Sequence, residues 1–164
     1  MAAEHSPWWR GRRGEWFVLG QVVLIAALFL GPRTLKGLHA WPPPVVRVST
    51  PAGVALMAAG ACLLLAGGLR LGASLTSLPH PQPHATLVQT GPYRVVRHPM
   101  YAGGILLACG WALVAHGWLT LIYAAVLVVL LDIKSAREER WLVEKFPEYP
   151  DYQRRVPKLI PFVY

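Results

Sequence analysis

The chain has 164 residues, with 16 Lys and Arg against 8 Asp and Glu, a formal charge of +8. Charged residues make up 15% and hydrophobic ones 54%, whereas a soluble domain carries roughly 25% charged residues. That balance excludes an ordinary soluble domain and points to a single membrane-embedded one, with the basic excess facing lipid headgroups rather than nucleic acid.

In chain order, the opening "MAAEHSPWWRGRRGEW" is too polar for a secretory signal, and no small-residue cleavage site follows it. Residues 16–31 form a first apolar stretch and residues 51–69 a second, with Pro51 expected in the first helical turn. Residues 100–133 are almost continuously apolar, too long for one crossing of a hydrocarbon core about 30 Å thick. The pair His116-Gly117 divides this run into a third helix near 100–115 and a fourth near 118–140. Cys62 and Cys109 lie inside apolar runs and are expected as small buried residues, not as a disulfide. The expected fold is all-α: an integral membrane domain spanning residues 1–164, with about four transmembrane helices and a cytoplasmic C-terminal helical tail.

Charge supports the count of four. With four crossings, one side holds Arg10, Arg12, Arg13, Arg70, Arg94, Arg97 and the seven basic residues from Lys134 onward, thirteen in all; the other holds Arg33, Lys36 and Arg47. The richer side is expected to be cytoplasmic, carrying both termini, as in a bacterial inner membrane. The 84–101 segment and the 134–158 segment then face each other.

Between the second and third helices, prolines at 79, 81 and 83 favour an extended path, and "TLVQTGPY" reads as a short extended piece closed by a turn at Gly91-Pro92. His80 and His84 are four apart, but the prolines between them break helical geometry, so no metal site is expected. "REERWLVEKF" continues the fourth helix, and a short helix is expected around Asp151 to Arg155. Glycine patterns for nucleotide phosphates are absent, so a nucleotide-like cofactor needs a different architecture.

Two polar clusters stand at helix mouths. Tyr93, Arg97, His98, Pro99 and Tyr101 precede Gly103 and Gly104, whose bare faces allow close approach. Lys134 and Glu138 share a helix face, with Glu139 adjacent. Interfacial anchors and a salt-bridged helix end are the plain alternatives; yet carboxylates near a bilayer are costly and mark function. Asp132 is read as a buried or interfacial acid with Lys134 nearby, and His116 as a turn residue on the opposite side.

"LVQTGPYRVVRHPMYAGG" with "EERWLVEKFPEYPDYQRRVPKLIP" further on resembles the isoprenylcysteine carboxyl methyltransferase family and the related membrane phospholipid methyltransferases. The resemblance covers residues 70–161. It implies S-adenosylmethionine held in a part spanning about 84–161, by Leu87, Val88, Tyr93, His98, Pro99, Met100, Tyr101, Glu138 and Glu139. It also implies a hydrophobic or lipid-like substrate, methylated at a carboxylate or a headgroup, whose head is oriented by Lys134 or Arg97. Lys134 stands where eukaryotic members have an arginine, and Ala85 where the family has a histidine. Membrane sterol reductases, which use NADPH, share a similar region built on R-H-P-N-Y-x-G-E; here the Asn position is Met100 and the final acid is Gly104. A non-catalytic membrane protein is the remaining alternative.

Overall fold

The computed structural model describes residues 14–72, 86–161 and 163–164. Among them are five α-helices and no strand: α1 Glu15–Leu30, α2 Pro43–Leu71, α3 Pro99–Ala115, α4 Trp118–Lys145 and α5 Tyr149–Arg155, with a 3-10 turn at Gly91–Arg94. The all-α expectation holds. Two helices, α2 and α4, are long and apolar enough to cross a membrane, while α1 and α3 are apolar but shorter. Of the four expected spans, α2 and α4 thus have the length and composition of a full crossing. At 1.5 Å per residue, 28-residue α4 is roughly 42 Å long, so its charged last turns extend past a core of about 30 Å.

α2 packs on α3, α3 on α4 and α4 on α1. The α2–α3 seam is backbone against backbone. A Cβ built on Gly60 would meet the Gly103 carbonyl oxygen at 2.7 Å, and one on Gly53 the Gly110 carbonyl oxygen at 2.6 Å. Apolar side chains gain little from burial when lipid is the alternative, so close van der Waals approach between small residues joins the helices instead. Many large apolar side chains are exposed, as Leu69, Val129 and Leu30 are.

Several expectations change here. α2 starts at Pro43, two turns before the expected 51, and Pro51 lies inside it. Pro43 and Pro44 occupy the first turn, where a missing N–H costs nothing. At the interior proline, the Thr50 and Ser49 hydroxyls donate to the Val46 carbonyl at 2.9 and 3.4 Å. Neither cysteine is buried: Cys62 is exposed and Cys109 intermediate. A helix facing lipid presents its apolar residues outward, so apolar neighbours do not imply burial. Asp132 pairs not with Lys134 but with Lys158, at 2.6 Å. Lys134, two residues further along α4, points to a different face.

The break at His116-Gly117 stands where expected. His116 closes α3 in the left-handed region at φ 51°, and α4 starts at Trp118. Residues 86–89 are irregular and lead into the Gly91–Arg94 turn, and α5 contains the expected 151–155 helix. His80, His84, Ala85 and the prolines at 79, 81 and 83 fall outside the described residues.

Candidate active site

The start of α3, the end of α4 and the C-terminal tail converge. Backbone N–H groups of Arg97 and His98 donate to the carbonyls of Pro157 and Lys158 at 2.9 and 3.1 Å, laying the tail against the loop before α3. The Tyr152 hydroxyl donates to the Tyr93 carbonyl at 2.6 Å. Lys158 reaches the Asp132 backbone carbonyl as well as its carboxylate.

Beneath this strap lies a cavity of about 550 Å³. Its wall on α4 runs through Leu127, Leu131, Lys134, Glu138 and Leu142, one residue every three or four. That spacing traces one helix face for roughly 22 Å. Along α1 the wall is Val18, Gln21, Val22, Ile25 and Leu28, almost wholly apolar. The polar groups gather where α3 begins and α4 leaves the membrane.

Glu138 and Glu139 are neighbours in sequence but about 100° apart around the helix. Glu138 lines the cavity and accepts from the Tyr101 hydroxyl at 2.7 Å. Glu139 stands behind the wall. Its carboxylate meets Arg97 Nε at 2.7 Å, His98 Nε2 at 3.0 Å and Gln153 Nε2 at 3.0 Å. Arg97 also donates to the carbonyls of Gln153 and Val156. Arg97 borders the cavity while its hydrogen bonds hold the tail.

Lys134 is only 2% exposed. Its ammonium donates to Gln21 Oε1 at 2.7 Å and lies 5.2 Å from the centre of the Tyr101 ring. The Tyr101 and His98 rings stack at 5.5 Å. Leu87, Val88, Tyr93 and Met100 complete the sequence-named residues lining the cavity, whereas Pro99 is buried outside its wall. Burial pushes the Tyr93, Tyr149 and Tyr152 hydroxyls above the usual phenol range, so all three are neutral at physiological pH.

Among the polar cavity residues that escaped the sequence reading are Gln21, Tyr149 and Tyr152. Gln21 interrupts the apolar run of α1, and a polar side chain inside a membrane helix is the signal that could have marked it. Among the described residues, no group of three His, Cys, Asp or Glu is placed to hold a metal.

The donor set fits S-adenosylmethionine in kind. A carboxylate answers its positive charge, tyrosine rings its adenine or sulfonium, and tyrosine hydroxyls its polar atoms.

The chain is 29% identical over 155 residues to the cobalt-zinc-cadmium resistance protein CzcN of Cupriavidus metallidurans, covering 93% of this chain and 64% of that one. It is 34% identical over 83 residues to the mouse delta(14)-sterol reductase TM7SF2, covering 48% of this chain and 20% of the reductase. It thus spans less than two thirds of each relative. Among solved structures, the eukaryotic intramembrane Ras methyltransferase ICMT (isoprenylcysteine carboxyl methyltransferase) superposes with a TM-score of 0.65 at 22% identity, a likeness of fold covering 99% of this chain and 55% of that one. A family model, phospholipid methyltransferase, matches residues 48–149. Since that match spans more than half of the chain, from within α2 to the first residue of α5, the protein belongs to the phospholipid methyltransferase family of membrane methyltransferases.

Proposed function

We propose that the chain is an S-adenosylmethionine-dependent methyltransferase acting on a hydrophobic acceptor drawn from the membrane. The observation that carries this reading is one cavity with two characters: Glu138, Tyr101 and Lys134 at the polar end, and an apolar lining along α1 and α4. A water-soluble cofactor and a membrane-dissolved acceptor need such a meeting place.

When bound, the cofactor supplies an electrophilic methyl group on a sulfonium. Glu138 holds a cationic or hydroxyl-bearing part of it, with the carboxylate oriented by Tyr101. Tyr93, Leu87 and Val88 enclose it from the 86–94 side. Lys134 faces the acceptor head, and its positive charge favours an anionic one, a carboxylate or a thiolate. Such a nucleophile needs alignment more than a strong base, which suits a site with a stacked histidine but no free acid–base pair. Arg97 and Glu139 act through the strap, closing the tail over the cavity. The basic residues before α3 and at the end of α4 support a mouth at the cytoplasmic face.

Methyl transfer tests the reading. Membranes containing the chain are incubated with methyl-labelled S-adenosylmethionine, and the label is followed into solvent-extractable material. Label should enter that fraction with the wild type and fail to with Glu138→Gln. The partial similarity to a sterol reductase keeps one second reading, NADPH-dependent reduction. Saturable NADPH binding without S-adenosylmethionine binding would establish that reading instead.

A further inference from the structure

Four tyrosines surround the polar end of the cavity, and three of their hydroxyls have partners. Tyr101 donates to Glu138 at 2.7 Å, Tyr152 to the Tyr93 carbonyl at 2.6 Å, and Tyr93 to the Gly67 carbonyl at 3.5 Å. Tyr149 differs. The residue lines the cavity and is 1% exposed, and its hydroxyl oxygen is buried without a hydrogen-bond partner among the described residues.

Such a group is expensive to retain, because burying a hydroxyl unpaired forfeits its bonds to water. Phenylalanine would fill the same space without that cost. The ring itself is well placed, edge-on to Tyr152 at 5.7 Å. Packing accounts for the ring and leaves the oxygen unexplained. The Trp41 indole N–H is likewise buried and unpaired, but Trp41 does not line the cavity.

We propose that Tyr149 is a cofactor-binding residue whose hydroxyl donates to an acceptor atom of S-adenosylmethionine. This rests on the methyltransferase reading and extends it to a residue of α5, the helix at which the family match ends. Acceptor atoms of the required kind occur on the nucleoside half and on the amino-acid carboxylate. Because the hydroxyl is neutral, it reads position and hydrogen-bonding capacity rather than charge.

The substitution Tyr149→Phe removes one oxygen and leaves the ring. Ligand-free protein in detergent should keep its melting temperature or gain a little, because an unpaired buried group has gone. S-adenosylhomocysteine affinity, measured by calorimetry, should fall five- to twentyfold. Tyr152→Phe is the contrast: it breaks the bond to the Tyr93 carbonyl and should lower the melting temperature, showing that the assay senses a lost internal bond.

Repeating the titration with 5′-methylthioadenosine, which lacks the amino-acid part, locates the acceptor atom. A loss that persists assigns it to the nucleoside, and a loss seen only with the full ligand assigns it to the carboxylate. Equal affinity of wild type and Tyr149→Phe for both ligands overturns the proposal, leaving the hydroxyl to bind water alone. Wild-type protein that binds neither ligand overturns the methyltransferase reading, and this proposal with it.

Discussion

The two ends of the helix bundle use polar residues in opposite ways. At the end away from the cavity mouth, Thr50 meets His116 at 3.0 Å, the Trp118 indole donates to the His39 carbonyl, and the Leu119 N–H donates to the Arg33 carbonyl. These contacts tie the α1–α2 connection and the start of α2 to the α3–α4 turn. At the other end, Glu139, Arg97 and His98 form a comparable tie, but Glu138, Lys134 and Tyr101 beside them turn inward to a cavity. Polar groups build a clasp at one end, and both a clasp and a binding site at the other. Orientation around α4 separates these roles more sharply than residue type does.

Substitutions should break that contrast in a graded way. The largest effect is expected at Glu139, where alanine would leave Arg97 and His98 buried beside no carboxylate. Removing one partner of a buried pair costs about 3–5 kcal/mol, so Glu139→Ala should unfold or strongly destabilise the protein in a thermal melt. Gly60→Leu comes next: its side chain has no room against the Gly103 carbonyl, and overpacking costs about 1–3 kcal/mol. The loss should appear as a lowered melting temperature in detergent.

Gln21→Leu should remove a hydrogen bond to a charged group, worth about 1.5–3 kcal/mol. Its signature should be a raised acceptor KM with cofactor affinity nearly unchanged, because Gln21 lines the α1 wall and holds the Lys134 ammonium that faces the acceptor. Thr50→Val, at the far end, should cost about 0.5–1.5 kcal/mol of stability and leave cofactor affinity untouched. Weakened cofactor binding by Thr50→Val would erase the distinction between the ends.

Much of this was legible in the sequence because it is local. The His116-Gly117 break, the Gly91-Pro92 turn, the continuation of α4 and the short tail helix each have their own punctuation. The meeting of the Arg97–His98 loop with the end of α4 followed from counting crossings and charges. What escaped was orientation and partnership. Proline spacing made Pro51 look like a helix start, although hydroxyls one turn away let α2 run through it. Asp132 sits two residues from Lys134 yet answers Lys158 on the tail. Cys62 faces outward because lipid, not protein, surrounds that side of α2. Gln21 belongs to a helix far from the motif, and no spacing rule links it to Lys134.

The claim that organises these observations is that Glu138, not Glu139, faces the cofactor. Calorimetric titration of detergent-purified protein with S-adenosylmethionine, for the wild type and Glu138→Gln, tests it most directly. The account predicts saturable binding by the wild type and a loss of at least about thirtyfold in Glu138→Gln, which corresponds to roughly 2 kcal/mol, with its fold retained in a thermal melt. Unchanged affinity in a folded Glu138→Gln protein would contradict the account.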